Sequence, residues 1–135
     1  MERSDLSGVW HLSAFHDLGP DDERLEGPLG PGPRGLLLYS DDGHMSVSIM
    51  RTAPSTRPPS TPVPLDFMGY AGRWRLDGDR VIHSVAITHT PRLRDTDETR
   101  EVRFGDGRLS LYGTVTAGGR TVRRVLEWDR TGEWR

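Results

Sequence analysis

Short stretches in which apolar and polar residues alternate run through most of the sequence, and they restrict the chain to an all-β fold. Helical periodicity is almost absent. Four glycine-containing turns typical of β-hairpins separate several of these stretches. They are Asp41-Asp42-Gly43, Asp77-Gly78-Asp79, Gly105-Asp106-Gly107 and Ala117-Gly118-Gly119. The pattern predicts eight strands, at Gly8–His16, Gly35–Ser40, His44–Arg51, Tyr70–Leu76, Arg80–Thr90, Thr99–Phe104, Arg108–Val115 and Thr121–Arg130.

Eight sequential antiparallel strands can close into a barrel, which removes the exposed sheet edges. We therefore predict one domain over residues 1–135, an eight-stranded antiparallel up-and-down barrel, with a flattened sandwich as the alternative. Two segments interrupt the pattern, since Gly19–Pro33 carries four prolines and Ala53–Pro64 carries five. We interpret both as loops of the same domain, either lids over a site or plain surface loops. The segment Ala53–Pro64 is expected to lead into a helical turn at Leu65–Met68.

Composition excludes several kinds of site and partner. The chain has no cysteine, which excludes a disulfide, a thiol nucleophile or a cysteine-ligated metal. All 18 basic residues are arginine, so no lysine is available for a Schiff base. The net charge of −2 argues against nucleic acid as a partner. The longest apolar run, Leu36–Tyr39, is too short to span a membrane, and the first residues lack the apolar core of a signal peptide, so we expect a cytoplasmic protein.

The first strand opens with Gly8-Val9-Trp10, which forms part of a wider pattern. Its stretches are Leu6–Phe15, Gly35–Val47, Tyr70–Trp74, Gly78–His83 and Leu126–Arg130. Together they resemble the bacterial lipocalin-like domain family, a branch of the calycin-type barrels. The resemblance implies a small barrel with a central cavity, Trp10 inside its closed end, and a late arginine, Arg124 or Arg130, stacked on Trp10. It implies little about chemistry, because such barrels include carriers and enzymes.

Alternation along each strand assigns side chains to the interior. With Trp10 inside, as the resemblance implies, the predicted inward residues are Leu12, Ala14, His16, Tyr70, Gly72, Trp74, Leu76, Val81, His83, Val85, Ile87, His89, Arg100, Val102, Phe104, Val122, Arg124, Leu126 and Trp128. The strand from His44 is ambiguous. Either Met45, Val47 and Ile49 face the interior, or the more polar set that ends with Met50 does.

The predicted interior contains histidines and arginines but no carboxylate, since we assign every Asp and Glu to a turn, a loop or an outward face. A buried arginine needs a partner, so we predict an acidic or polycarbonyl ligand. The predicted catalytic residues are His83, His89 and Arg100. The predicted ligand-binding residues are His16, Tyr39, Met50, Tyr70, Trp74, Phe104, Arg124 and Trp128. The alternative for His83, Tyr70, Trp74 and Trp128 is simple packing in the core.

No metal or other cofactor is predicted. His83 and His89 share a face but lie about 20 Å apart along an extended strand, too far to bind one ion.

Three functions remain open. We favour a cofactor-free isomerase, cyclase or dehydratase of secondary metabolism, which acts on a small, hydrophobic, oxygen-rich metabolite and uses histidine as acid or base. The alternative is a non-catalytic small-molecule carrier or sensor, which binds a similar ligand by burial alone. The third is a structural or partner-binding barrel with a packed interior. The expected partner is a small molecule, and a homodimer is left open.

Overall fold

The computed structural model describes residues 1–56, 65–117 and 119–130. A short helix, α1 (Arg3–Leu6), precedes the strands, and a 3-10 turn at Pro91–Leu93 is the other helical element of the described residues. The strands are β1 (Gly8–Leu18), β2 (Arg24–Glu26), β3 (Arg34–Tyr39), β4 (His44–Met50), β5 (Phe67–Asp77), β6 (Arg80–Thr88), β7 (Asp97–Gly105), β8 (Arg108–Ala117) and β9 (Arg120–Asp129). Within the described ranges, neither helical element is long and apolar enough to cross a membrane.

The strands form one antiparallel sheet in the order β2-β1-β3-β4-β5-β6-β7-β8-β9, and β1 also pairs with β9. This second pairing closes eight strands into a barrel and leaves β2 as an additional strand on β1. The predicted eight-stranded antiparallel barrel is therefore confirmed. The eight predicted strands coincide with β1 and β3–β9, with ends that differ by at most three residues.

Two predictions about the segments between strands are corrected. The predicted loop Gly19–Pro33 contains β2, in which Glu26 pairs with His16 of β1. The predicted helical turn at Leu65–Met68 is wrong, because Phe67 begins β5. Residues 57–64 of the second predicted loop and residue 118 of the last hairpin turn lie outside the described residues.

Trp10 closes one end of the barrel. Its side chain is fully buried, and its Nε1 donates to the carbonyl of Leu6 over 2.8 Å. The guanidinium of Arg130 lies 4.1 Å from the Trp10 ring, and the edge of Phe104 contacts the same ring at a centroid distance of 6.2 Å. Of the two arginines considered from the sequence, Arg130 is thus the one that stacks on Trp10.

Two β-bulges change which residues face the interior. One extra residue in β1, Ser13, shifts the pairing with β9 between Leu12 and Ala14. Beyond it Phe15 and Asp17 continue the inward face, so the predicted inward placement of Ala14 and His16 is wrong.

The second bulge lies in β6, opposite the bond between Ala71 and Gly72 of β5. A Cβ on Gly72 would come within 1.9 Å of the Ser84 carbonyl oxygen, so the bulge requires glycine there. Beyond the bulge the predicted inward placement of Ile87 and His89 is wrong. Ile87 is 72% exposed, and His89 is exposed beyond the end of β6.

The orientation of β4 is settled by burial. Met45, Val47 and Ile49 belong to the core, whereas Met50 is 42% exposed on the outer face. The predicted ligand-binding role of Met50 therefore has no interior position to support it.

The loops opposite the closed end are tied to one another. Arg51 donates to the carbonyl of Pro28 over 3.0 Å and to the carbonyl of Leu65 over 2.7 Å. The carboxylate of Glu26 accepts hydrogen bonds from the Ser55 hydroxyl over 2.6 Å and from the backbone of the next residue. These contacts hold the described parts of both proline-containing segments over the same end of the barrel.

Candidate functional site

Three side chains form a hydrogen-bonded chain inside the barrel. Tyr39 lies at the end of β3, Tyr70 on β5 and His83 on β6. The Tyr39 hydroxyl is 2.6 Å from Nε2 of His83, and the Tyr70 hydroxyl is 2.7 Å from Nδ1 of the same ring. Tyr39 and His83 are buried, and Tyr70 is half-buried. Both nitrogens of His83 are therefore occupied by phenol groups.

Trp74 fixes the inner end of this chain. Its ring lies 4.5 Å from that of Tyr39, and its Nε1 donates to the carbonyl of Ser40 over 2.9 Å. On the closed side of the barrel the guanidinium of Arg3 lies 5.2 Å from the Trp74 ring. Trp74 is 3% exposed, so in this structure it positions Tyr39 and does not present a surface to a ligand.

Burial decides the charge of each member of the chain. Burial, reinforced by the positive charge of Arg100, lowers the pKa of His83 to about 3. Burial raises the pKa of Tyr70 to about 12, and it raises the pKa of Tyr39 well above the usual value for a phenol. At neutral pH all three groups are uncharged, so hydrogen atoms in the chain are shared between neutral partners.

The chain has a direction. A neutral imidazole donates one hydrogen bond and accepts one. The Tyr39 hydroxyl is enclosed and, within the described residues, has His83 as its hydrogen-bond partner, so it donates to Nε2 to avoid an unsatisfied buried donor. Nδ1 of His83 then carries the hydrogen and donates to the Tyr70 oxygen. The O–H of Tyr70 is left over and is available to an acceptor in the interior.

Arg100 and Glu98 lie beside this chain. Arg100 donates to the carbonyl of Thr99 over 3.0 Å, and its guanidinium is 3.8 Å from a carboxylate oxygen of Glu98. Glu98 pairs with His83 across β6 and β7, and both charged side chains are roughly a quarter exposed. Arg100 lies across Gly113 of β8, where a Cβ would be 3.0 Å from its Cδ and Nε. A guanidinium has five N–H donors, so further N–H groups of Arg100 can donate to a ligand.

Arg124, by contrast, already has a partner. Its Nε and Nη2 atoms donate to the two carboxylate oxygens of Asp17 over 2.7 and 3.2 Å, and both side chains are largely buried. Its guanidinium also lies 5.8 Å from the ring of Phe15. The prediction that no carboxylate faces the interior is therefore wrong for two residues, Asp17 and Glu98.

The structure separates the other predicted site residues from this cluster. His16 is buried under the β2 segment, where it lines an outer groove of about 470 Å³ with Glu26 and Gly27. His89 is exposed, and Phe104 packs at the closed end. Trp128 is fully buried in the core. The structure thus brings together Tyr39, Tyr70, His83 and Arg100 of the predicted set.

In the described parts of the chain no group of three His, Asp or Glu residues could hold a metal ion.

The sequence did contain a signal for Glu98, because Glu98 shares the strand parity of Arg100, Val102 and Phe104. It was missed because the strand was predicted to begin at Thr99 and not at Asp97. No comparable signal exists for Asp17, whose orientation follows from the bulge in β1.

The match to a protein family agrees with this architecture. The family model of the lipocalin-like domain matches residues 7–131. The chain belongs to the lipocalin-like domain family. Among solved structures, the chain is similar to the solution structure of a lipocalin whose expression is activated by cell transformation by the myc oncogene. The two are 15% identical with a TM-score of 0.48, over 100% of this chain and 76% of that one. No curated protein matches the chain.

Proposed function

We propose that this lipocalin-like barrel binds a small, mostly apolar molecule that carries a carbonyl or carboxylate oxygen. The observation that carries the proposal is the chain Tyr39–His83–Tyr70, which leaves the Tyr70 O–H as a donor on the inward face of the barrel, the face that also carries Arg100. Two kinds of donor on an otherwise apolar inward face favour a ligand with an acceptor oxygen. A lipocalin-like barrel is a fold consistent with small-molecule binding.

The rest of the ligand would contact apolar surface. Leu12, Met68 and Leu126 pack against the core but are only partly buried. Burying such side chains under a ligand is favourable by about 25 cal/mol for each Å² of apolar surface removed from water. The hydrocarbon part of the ligand would therefore supply affinity, while the oxygen would supply orientation.

The predictions of a specific reaction or of a carrier role stay proposals. A cofactor-free isomerase, cyclase or dehydratase of secondary metabolism would use the same site, as would a carrier or sensor. The geometry favours a changed role for His83: with both nitrogens occupied it positions Tyr70 and is a poor direct acid or base. Cytoplasmic localisation likewise stays a prediction, and a homodimer stays an open alternative.

Three probes of one shape test the binding proposal. They are 3-phenylpropanoic acid, its methyl ester and propylbenzene, and NMR titration gives each dissociation constant. We expect the acid and the ester to bind more tightly than the hydrocarbon. Tyr70→Phe should weaken both by about 3- to 10-fold, the value of one hydrogen bond, and leave propylbenzene unchanged.

The matched control is Tyr112→Phe. Tyr112 lies on β8 between the guanidinium groups of Arg103 and Arg123, away from the interior, and the substitution should change none of the three constants. Equal affinity for all three probes, together with no effect of Tyr70→Phe, would overturn the proposal.

A further inference from the structure

We propose that this site moves a proton at carbon, with Glu98 as the base and Tyr70 as the donor to the enolate oxygen. The substrate class is a carbonyl compound with an acidic C–H next to the carbonyl. The inference rests on the proposed binding function, because it places the same acceptor oxygen on Tyr70. Glu98 then takes the role of base that the sequence predicts for histidine.

Glu98 is placed as a base would be. It pairs with His83 across β6 and β7, so its side chain projects from the inward face of the barrel. Its one ion-pair contact among the described residues is long, 3.8 Å to Arg100, and leaves lone pairs of the carboxylate available. Asp17, the other inward carboxylate, has both oxygens occupied by Arg124 and cannot serve in the same way.

Tyr70 and Arg100 are placed to stabilise negative charge. The high pKa of Tyr70 keeps its phenol protonated, so it is a permanent donor. The hydrogen bond from His83 to the Tyr70 oxygen orients that donor. Arg100 lies on the inward face of β7 opposite Val81, and its positive charge acts on both Tyr70 and His83, so it would favour the negative charge of an enolate oxygen in the interior.

The reaction balances without a cofactor or a co-reactant. A carboxylate oxygen of Glu98 takes the proton from the carbon next to the carbonyl. The electron pair of the broken C–H bond forms a C=C bond, and the carbonyl π electrons move to oxygen, which accepts the Tyr70 hydrogen bond. The proton then returns from the Glu98 carboxylic acid to the same carbon, or to a conjugated carbon, which gives an isomer. Nothing is oxidised or reduced.

Hydrogen–deuterium exchange tests this step without knowledge of the natural substrate. The probe is 2-tetralone in D2O at neutral pD, and proton NMR follows the loss of signal at the carbons next to the carbonyl. We expect the wild-type protein to accelerate exchange over buffer alone. Glu98→Gln should lower the protein-dependent rate by about 10²-fold or more, and Tyr70→Phe by about 10²- to 10³-fold.

The controls separate catalysis from binding and folding. Glu101→Gln, on the outer face of β7 against Arg123, should keep the wild-type rate. Glu98→Asp keeps a carboxylate and should retain part of the activity, which distinguishes loss of the base from a folding defect in Glu98→Gln. The dissociation constant of 2-tetralone for Glu98→Gln should stay within about threefold of wild type.

Each other outcome is decisive. Binding of 2-tetralone without acceleration of exchange would overturn the proton-transfer proposal and leave the binding function intact. A wild-type exchange rate in Glu98→Gln would overturn Glu98 as the base. Failure of 2-tetralone and of both oxygen-bearing phenylpropanoate probes to bind would overturn the binding function and this inference together.

Discussion

The guanidinium of Arg130 lies 4.1 Å from the Trp10 ring and donates to the carbonyl of Ser7 over 2.8 Å and to the carbonyl of Asp5. One side chain from the end of β9 thus joins the first strand to the segment that precedes it. Trp10 is fully buried beneath this contact. The pair therefore stabilises the packing at the closed end of the barrel.

Loss of either partner should therefore lower stability. Trp10→Ala should reduce the free energy of unfolding by about 3–5 kcal/mol, the usual cost of removing a large buried aromatic side chain. Arg130→Ala should reduce it by about 2–4 kcal/mol, through lost stacking and charged hydrogen bonds. Arg120→Ala, at the exposed start of β9, should change it by less than about 0.5 kcal/mol in the same urea titration. A loss under about 1 kcal/mol for Trp10→Ala would show that the residue is not a core residue.

The low pKa of His83 predicts a pH dependence of stability. Between its folded value of about 3 and its usual value of 6.5, the unfolded chain binds a proton that the folded chain excludes. Stability should therefore be constant above about pH 6.5 and fall as the pH drops, by up to about 1.4 kcal/mol per pH unit. From pH 7 to pH 5 the contribution of His83 amounts to about 2 kcal/mol.

Urea unfolding of wild type and His83→Gln at pH 7, 6 and 5 measures this contribution, because glutamine keeps a hydrogen-bonding side chain but does not titrate. The difference between the two proteins should shift by about 2 kcal/mol across the range. His89→Gln serves as the control for the substitution itself, since His89 is exposed. Parallel curves for wild type and His83→Gln would show that folding does not lower the pKa of His83.

The buried pair Asp17–Arg124 should be more costly to break than to remove. Asp17→Asn leaves a largely buried guanidinium without its charged partner and should lower stability by about 2–4 kcal/mol. The double variant Asp17→Asn, Arg124→Met should lose less than that. A matched change in the exposed pair Arg75–Asp97, Asp97→Asn, should cost at most about 1 kcal/mol. A double variant that is less stable than Asp17→Asn would contradict the prediction that breaking the pair costs more than removing it.

The sequence was sufficient for the eight strands of the barrel because each of them shows its own alternation and four of the hairpins have their own turn residues. It was also sufficient for the inward placement of Tyr70, His83 and Arg100, which lie on uninterrupted stretches of β5, β6 and β7. It failed beyond the bulges, at His16 and His89. A bulge is set by pairing with a neighbouring strand, and the pattern of a single strand does not contain that information.

The contact between Tyr39 and His83 was also beyond the reach of the sequence, since the two residues are 44 positions apart and lie on strands that are not neighbours. Barrel closure and strand tilt bring them together across the interior. Asp17 and Arg124 are 107 positions apart but lie opposite each other on β1 and β9, so the closing pairing of the barrel brings them together. Both pairings change the chemistry expected of the interior, because they give His83 and Arg124 partners within the protein. From the sequence alone, the partner of a buried arginine was expected to be a ligand.

Gly113 should be a specificity determinant for the ligand oxygen. A methyl group at this position would lie 3.0 Å from Cδ and Nε of Arg100, so the arginine side chain must shift by a few tenths of an ångström. Because that side chain is flexible, Gly113→Ala should leave the free energy of unfolding within about 1 kcal/mol of wild type. The displaced guanidinium should weaken binding of 3-phenylpropanoic acid by about fivefold and leave propylbenzene unaffected. Gly105→Ala, where nothing lies within 4 Å of the added methyl group, is the matched control and should alter neither constant. Unchanged affinity for the acid in Gly113→Ala, measured by the same NMR titration, would show that Arg100 does not contact the ligand.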